Sequence, residues 1–234
     1  KGLYIATVFK GGMKSAPTQE VFDTVKELST ALLEYDSTGI QVFHACASYG
    51  DRQGVYNERK DKWELRVAEN AVWVRSQWLD IDVGDGKDYA TRKDALTALK
   101  AMCKSVGLPL PLIVKSGPVG LHAYWVFKED VPAAAAKVGA TAFANTMKSE
   151  GFKCDTTRTA DMASILRPVG SHNRKKDVPT LVERANDPEP IDHVEFYAKM
   201  VSMPSSFLSG AIPTIRGLPS TDTWQTATKT FPPS

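Results

Sequence analysis

The stretch Trp78-Leu79-Asp80-Ile81-Asp82-Val83 is the feature around which the rest of the sequence can be organised. Side chains alternate between the two faces of a β-strand, so a strand here places Leu79, Ile81 and Val83 in a core and both aspartates on the other face. Carboxylates about 6–7 Å apart along a strand repel each other unless a cation or a shared proton relieves them. Mg²⁺ and Mn²⁺ suit such oxygen ligands. A solvated Asp-x-Asp on an edge strand is the more common alternative.

Hydrophobic periodicity on either side of this stretch predicts alternating strands and helices. The first fifty residues predict a strand, an amphipathic helix and a second strand, at residues 4–8, about 19–35 and 40–48. From residue 72 the predicted order is strand-helix-strand-strand-helix-strand, with strands at 72–83, 111–115, 121–127 and 153–155 and helices beginning near residues 91 and 132. A further strand and helix are predicted at 179–184 and 191–200.

The order from residue 72 onward is that of a split βαβ, RRM-like sheet. We therefore predict an α/β (α+β) fold with an N-terminal α/β module over residues 1–70 and the RRM-like module over residues 71–200. Residues 203–234 turn to Pro, Ser, Thr and Gly. That composition is typical of a linker or a loosely packed tail, here leading toward a C-terminal domain.

Length, composition and charge are those of an ordinary globular protein. The 234 residues are 42% hydrophobic and 24% charged, with a net charge of +2. No apolar run reaches the roughly 18 residues of a membrane span and no signal peptide opens the sequence, so we expect no membrane partner. The scattered, odd number of cysteines fits a reducing, cytoplasmic location. The small net charge does not by itself indicate nucleic-acid binding. The three cysteines form no CxxC pair, so no zinc site is expected.

A glycine-rich turn forms the second motif, Ser116-Gly117-Pro118-Val119-Gly120-Leu121-His122. Its glycines allow backbone N–H groups to turn toward an anion, as in other turns that bind phosphate. His122 follows the turn, where it could donate to a phosphate. The alternative is an ordinary hairpin turn, followed by a strand histidine that simply packs.

The third motif is the acid in Cys154-Asp155-Thr156. Asp155 could be the third carboxylate that a two-metal site commonly needs. Alternatively it forms an Asx-turn, and Asp161 competes for the same role.

The fourth motif is the basic run Ile165-Leu166-Arg167-Pro168-Val169-Gly170-Ser171-His172-Asn173-Arg174-Lys175-Lys176. Arginine binds phosphate as a fork and lysine as a point charge. A basic surface loop is the ordinary explanation of such a run unless the acids lie nearby.

In this order the four motifs resemble those of the archaeo-eukaryotic primase superfamily, and more closely the primase-polymerase (prim-pol) domains of phage and plasmid replication proteins. The resemblance covers about residues 40–185; where many members have Pro-Gly-Thr, this chain has Pro168-Val169-Gly170-Ser171. It implies that residues 1–200 form a catalytic domain for template-dependent nucleotidyl transfer, as a DNA primase or polymerase in phage or plasmid replication within a bacterial host.

The resemblance also implies the residues of the site and its partners. Two divalent ions, Mg²⁺ or Mn²⁺, would be held by Asp80, Asp82 and Asp155. The incoming NTP or dNTP would be bound by Lys115, Ser116, Gly117, Gly120, His122, Arg167, Asn173 and Lys175. Single-stranded or primed DNA would be the template, and a C-terminal helicase or accessory domain would follow in the full-length protein.

Two other functions stay open on the sequence. A metal-dependent nuclease or rolling-circle initiator can share the RRM-like sheet, but it needs a His-x-His metal site and a nucleophilic tyrosine, and the four histidines here form no such pair. A nucleotide- or single-stranded-DNA-binding module without catalysis would bind nucleotide whether or not metal or Asp155 is present.

Overall fold

A computed structural model of the chain describes residues 1–12 and 14–201, and the tail expected over residues 203–234 lies outside the described residues. The strands are β1 Tyr4–Phe9, β2 Thr18–Phe22, β3 Gln41–Ala45, β4 Ala47–Tyr49, β5 Val55–Asn57, β6 Lys62–Glu64, β7 Ala71–Ile81, β8 Leu112–Lys115, β9 Leu121–Pro132, β10 Ile165–Leu166, β11 His172–Asn173, β12 Thr180–Leu181 and β13 Glu183–Arg184. The helices are α1 Val25–Ser37, α2 Arg92–Val106, α3 Ala133–Ser149, α4 Thr156–Ala160 and α5 His193–Val201. None of these described helices is long and apolar enough to cross a membrane.

The predicted split βαβ order forms the centre of the fold. A five-stranded sheet has the order β13-β8-β9-β7-β4, and each neighbouring pair is antiparallel. The predicted order of strand, helix, strand, strand and helix from residue 72 is confirmed by β7, α2, β8, β9 and α3. The mixed α/β class is therefore confirmed.

The predicted strand at residues 153–155 is wrong. These residues are irregular, and β4 occupies the position beside β7 in the sheet. The physical reason is helix capping, because the Asp155 carboxylate accepts from the backbone N–H of Arg158 and starts α4 instead of extending a strand.

A second sheet has four strands in the order β10-β3-β1-β2, and three of them, β1, β2 and β3, come from the first 45 residues. The helix predicted over about 19–35 begins later, at Val25, because residues 18–22 form β2. Thr24 is extended and exchanges hydrogen bonds with Glu27 in a capping box, which fixes the first turn of α1 after the strand. The short strand β10 comes from far along the chain and pairs with β3.

The main hydrophobic core confirms the alternation predicted for β7. Leu79, Ile81 and Val83 are buried, in a cluster that also takes apolar side chains from α2, α3 and α5. A second, smaller cluster lies under α1 and comprises Ala6, Val8, Leu28, Leu32 and Val42. The face of β7 opposite Leu79 and Ile81 carries Asp80, which is only partly buried.

Candidate active site

Asp80 and His122 are direct partners across the two central strands. Asp80 on β7 pairs in register with His122 on β9. The distance from His122 Nε2 to Asp80 Oδ1 is 3.8 Å. Because directly opposite residues of an antiparallel pair share a face, the first acid and the histidine of the glycine-rich motif lie side by side.

His122 is buried and neutral. Its pKa is lowered to about 3, chiefly by burial and also by the positive charge of Arg167 and by the neighbouring His44. Its Nδ1 lies 3.3 Å from the hydroxyl of Tyr124. A neutral imidazole that accepts from Tyr124 at Nδ1 carries its proton on Nε2, the nitrogen nearest Asp80. His122 can therefore present one N–H donor to a ligand beside Asp80.

Asp155 lies beside Asp80 through the backbone. Its N–H donates to the carbonyl oxygen of Asp80 at 3.2 Å. The Asp155 side chain is 46% exposed and forms an ion pair with Arg158, Nε to Oδ2 3.2 Å. Asp161, the competing acid, accepts from the N–H of Ala163 at 2.9 Å after α4 has ended. Of the two acids, Asp155 is the one bonded to the strand that carries Asp80.

The acids of the site repel one another. Burial raises the pKa of Asp80 above its ordinary value, and the carboxylate of Asp82 raises it further, against the lowering effect of Arg158 and Arg167. Asp82 is exposed, and Lys87 Nζ lies 2.9 Å from its Oδ2. Additional positive charge at Asp80 would relieve this repulsion.

Asp80, Asp82 and Asp155 have the chemistry of ligands for divalent cations, but their side chains are not arranged around a common metal position. The three carboxylates are hard oxygen ligands of the kind that Mg²⁺ and Mn²⁺ take. In residues 1–12 and 14–201, no group of three or more His, Cys, Asp and Glu side chains is arranged to hold a metal ion. Lys87 and Arg158 neutralise Asp82 and Asp155 instead. Two metal ions would have to take the place of these two cations.

The glycine-rich turn is closed on itself and held from both sides. The N–H of Ser116 donates to the carbonyl of Gly120 at 3.0 Å. Asn173 Nδ2 donates to the carbonyl of Ser116 at 2.8 Å. On the other side, Arg92 Nη2 donates to the carbonyl of Gly117. The turn between β8 and β9 is thus fixed next to His122.

Arg167 supplies a buried cation with unused donors. The residue is 8% exposed, and its guanidinium lies over the ring of Phe43 at 4.8 Å. Its Nε and Nη2 are buried without a hydrogen-bond partner. Burial lowers the pKa of Arg167 while the charge of Asp80 raises it. Unpaired buried donors cost about 1–3 kcal/mol each, so this guanidinium is suited to an anion that would complete its hydrogen bonds.

The sequence matches no protein-family model and no curated protein significantly. Among solved structures, it is similar to the archaeo-eukaryotic primase (AEP) domain of the primase-polymerase of cyanophage S-2L. That match has a TM-score of 0.56 and 15% identity, over 86% of this chain and 88% of the other. The chain has an AEP fold.

Two structures of the primase RepB′ share the AEP fold with this chain. One matches at a TM-score of 0.50 and 12% identity, over 85% of this chain and 58% of that one. The other, a catalytic domain in complex with initiator DNA, matches at a TM-score of 0.50 and 13% identity, over 85% and 87% of the two chains. The fold implied by the order of the four motifs is confirmed, and function must be argued from the site.

Two of the predicted nucleotide-binding residues stand apart from the others in this AEP fold. Lys115 is opposite Leu121 on β9 and therefore faces away from His122. Its Nζ lies 3.3 Å from Glu183 Oε2 on β13. Lys175 is exposed, and its backbone N–H donates to Oδ1 of Asn173 at 3.1 Å. Lys115 is thus on the face of the sheet opposite Asp80 and His122.

Several residues of the site were not foreseen. Tyr124 follows His122 by two positions, so strand alternation alone places it on the same face. Arg92 begins α2, and nothing in its local sequence connects it to Gly117. His44 comes from β3 in the other sheet. No local sequence pattern identifies His44 as a site residue, because it reaches the site only through tertiary packing.

The Gly117→Ala variant tests the contact between the Asn173 side chain and the glycine-rich turn. Gly117 has φ +148°, and a methyl group there would overlap the Asn173 side chain. We expect loss of the Asn173 hydrogen bond and a nucleotide affinity lower by about ten-fold, measured by calorimetric titration. Gly151→Ala is the matched control, because Gly151 also has a positive φ of +69° but no atom within 4 Å of the added carbon. Equal nucleotide affinity in both variants would contradict a role for this contact.

Proposed function

We propose that the chain is a template-dependent nucleotidyltransferase, a DNA primase or polymerase domain that acts in phage or plasmid replication. One observation carries the proposal. Asp80 and His122 lie opposite each other on β7 and β9, with His122 Nε2 3.8 Å from Asp80 Oδ1. The charge of the unsatisfied Arg167 guanidinium acts on the pKa of both, and the N–H of Asp155 is bonded to the Asp80 carbonyl. Acids that attract metal and donors that bind phosphate are the two halves of such a site.

The acids would hold the metal ions. Asp80, Asp82 and Asp155 would share two divalent ions once Lys87 and Arg158 had been displaced. When bound, such ions activate the attacking 3′-hydroxyl and stabilise the leaving pyrophosphate oxygen. Asp80 is the central ligand in this proposal, because it lies next to both Asp82 and the backbone of Asp155.

The donors would hold the triphosphate of an NTP or dNTP. His122 offers Nε2, Arg167 offers the unused donor atoms Nε and Nη2, and the Ser116–Gly120 turn offers backbone N–H groups. Asn173 and Arg92 would keep that turn in shape. Lys175 would supply charge at the rim, whereas Lys115 would first have to leave Glu183.

Single-stranded or primed DNA is the proposed template. One of the similar RepB′ structures is a complex with initiator DNA. Template binding of this kind uses scattered cations and aromatic stacking, so it should tolerate different sequences and weaken as salt rises.

The decisive experiment is primer extension by the purified chain with dNTPs, a primed template and Mg²⁺ or Mn²⁺. We expect extension that stops when the metal is chelated. Extension that survives in the Asp80→Ala, Asp82→Ala double variant would overturn the proposal. Nicking of single-stranded DNA without nucleotides would favour the nuclease or initiator function instead. Metal-independent nucleotide binding without extension would favour a binding module.

A further inference from the structure

Asp36 is a buried acid that the proposed chemistry does not use. It lies near the end of α1 and is 4% exposed. Its carboxylate accepts from the backbone N–H of His172 at 2.8 Å, from His172 Nδ1 at 2.7 Å and from Nη1 of Arg174. Arg174 Nη2 donates to the Asp36 carbonyl at 2.7 Å. One helix of the N-terminal part thus binds two residues of the fourth motif.

Gln41 on β3 completes this attachment. Its Oε1 accepts from the backbone N–H of Arg174 at 2.8 Å. Its Nε2 donates to the carbonyl of His172 at 3.3 Å. The backbone on both sides of Asn173 is therefore bonded to α1 and β3.

Asn173 faces the other way. Successive residues of a strand point to opposite sides, so Asn173 is turned from Asp36 when His172 and Arg174 are turned toward it. Its side chain donates to Ser116 and fills the space that a side chain on Gly117 would need. The segment thus connects Asp36 on one side to the glycine-rich turn on the other.

The hydrogen bonds of Asp36 are those of an ionised acid. Burial raises the pKa of Asp36, but the hydrogen bonds from Arg174 and His172 outweigh it and hold the pKa below its ordinary value. Hydrogen bonds that involve a charged group are shorter and stronger than neutral ones. They can therefore fix the segment within the narrow limits that the contact between Asn173 and Gly117 requires.

We propose that Asp36 is a positioning residue of the nucleotide site, which holds His172 and Arg174 so that Asn173 is seated on the Ser116–Gly120 turn. The inference rests on the proposed function, because that function makes the turn a binding element for the triphosphate. Asp36 touches no substrate in this proposal and acts only through Asn173.

The experiment combines amide hydrogen exchange with calorimetric titration of dATP in the presence of Mn²⁺. In Asp36→Asn, exchange over residues 112–121 and 171–174 should accelerate about ten-fold, and dATP affinity should fall by about the same factor. Asn173→Ala should lower the affinity similarly. The double variant should bind no more weakly than Asn173→Ala, because both changes remove the same contact.

Controls separate positioning from simple loss of stability. Leu28→Ala removes a buried side chain from the same helix without touching Asp36, and it should leave dATP affinity and exchange of the turn unchanged in the folded protein. Should Asp36→Asn not fold, His172→Ala removes one donor and leaves Arg174 in place, so it should give a smaller effect in the same direction. Additive losses in the double variant, or unchanged exchange of the turn, would overturn the inference alone. Wild-type protein that binds no dATP would overturn the proposed function, and with it the inference.

Discussion

Asp80→Asn is expected to abolish primer extension while making the protein more stable to heat. The loss should be at least about 10³-fold, the scale on which removal of one central electrostatic group acts in enzymes. Asparagine keeps the shape of the side chain but removes the charge that two metal ions would share. Activity and stability should therefore change in opposite directions.

The gain in stability follows from the pKa of Asp80. A carboxyl whose pKa is raised by burial and by Asp82 is less favourable when ionised in the folded protein than in the unfolded chain. Asparagine removes that cost at neutral pH. The melting temperature should rise by about 2–4 °C for each kcal/mol of repulsion that is relieved.

The melting temperature measured with Mn²⁺ tests the metal site independently of activity. Mn²⁺ should raise the melting temperature of the wild type, because binding to the folded state stabilises it, and should leave that of Asp80→Asn unchanged. Asp85→Asn is the matched control, since Asp85 is an exposed acid in the turn after β7. It should extend primers like the wild type. Equal stabilisation of Asp80→Asn by Mn²⁺ would mean that the metal binds elsewhere.

Arg167→Met should lower nucleotide affinity by about 10²-fold and also raise stability. Hydrogen bonds to a charged group are worth about 1.5–3 kcal/mol, and a bound phosphate would receive them from Nε and Nη2. Without a ligand these two atoms are buried and have no hydrogen-bond partner. Methionine has a similar length, fills the same space and leaves no buried donor unsatisfied.

The contact between Arg167 and Phe43 limits the gain in stability expected for Arg167→Met. The guanidinium lies over the ring, and such a contact is worth about 0.5–2 kcal/mol, which offsets part of the removed desolvation cost. The measurements are calorimetric titration with dATP and thermal denaturation. Arg75→Met is the control, because Arg75, in the first half of β7, is exposed and pairs with Asp130 of β9. A variant at Arg167 that binds dATP as tightly as the wild type would show that this cation serves only the fold.

Local pattern was enough to predict the central strand and its faces. Apolar residues at every second position of 79–83 can be buried only by a strand of one register, so the positions of Leu79 and Asp80 followed from the alternation. That Asp80 and His122 belong to one site was implied by the order of the motifs, whereas their register as opposite residues was not predicted, because nothing in either stretch alone selects its partner.

The two wrong secondary-structure predictions, the start of the first helix and the strand at residues 153–155, also have local causes. Val21 and Val25 fit a helical repeat, but Thr24 with Glu27 makes a cap that only an extended residue can begin, and β2 precedes it. Asp155 was predicted to end a strand, whereas its side chain caps α4. In both places one polar side chain bonded to the backbone overrode the hydrophobic pattern.

Contacts between distant residues were beyond the sequence. Asp36 and Arg174 are 138 positions apart, and neither shows in its surroundings that the other is its partner. Likewise, nothing in the sequence around Arg92 indicates that it donates to the carbonyl of Gly117. Such pairs form only through the tertiary fold, so periodicity and spacing carry no trace of them.

The strand β10 has a consequence for the order in which the chain can fold during synthesis. It contributes only Ile165 and Leu166, yet it covers the outer edge of β3 and immediately precedes Arg167. Until the ribosome has released that part of the chain, β3 keeps an unpaired edge of the kind that invites pairing with other chains. The N-terminal sheet therefore closes late, and the same event that protects its edge brings the guanidinium to Asp80.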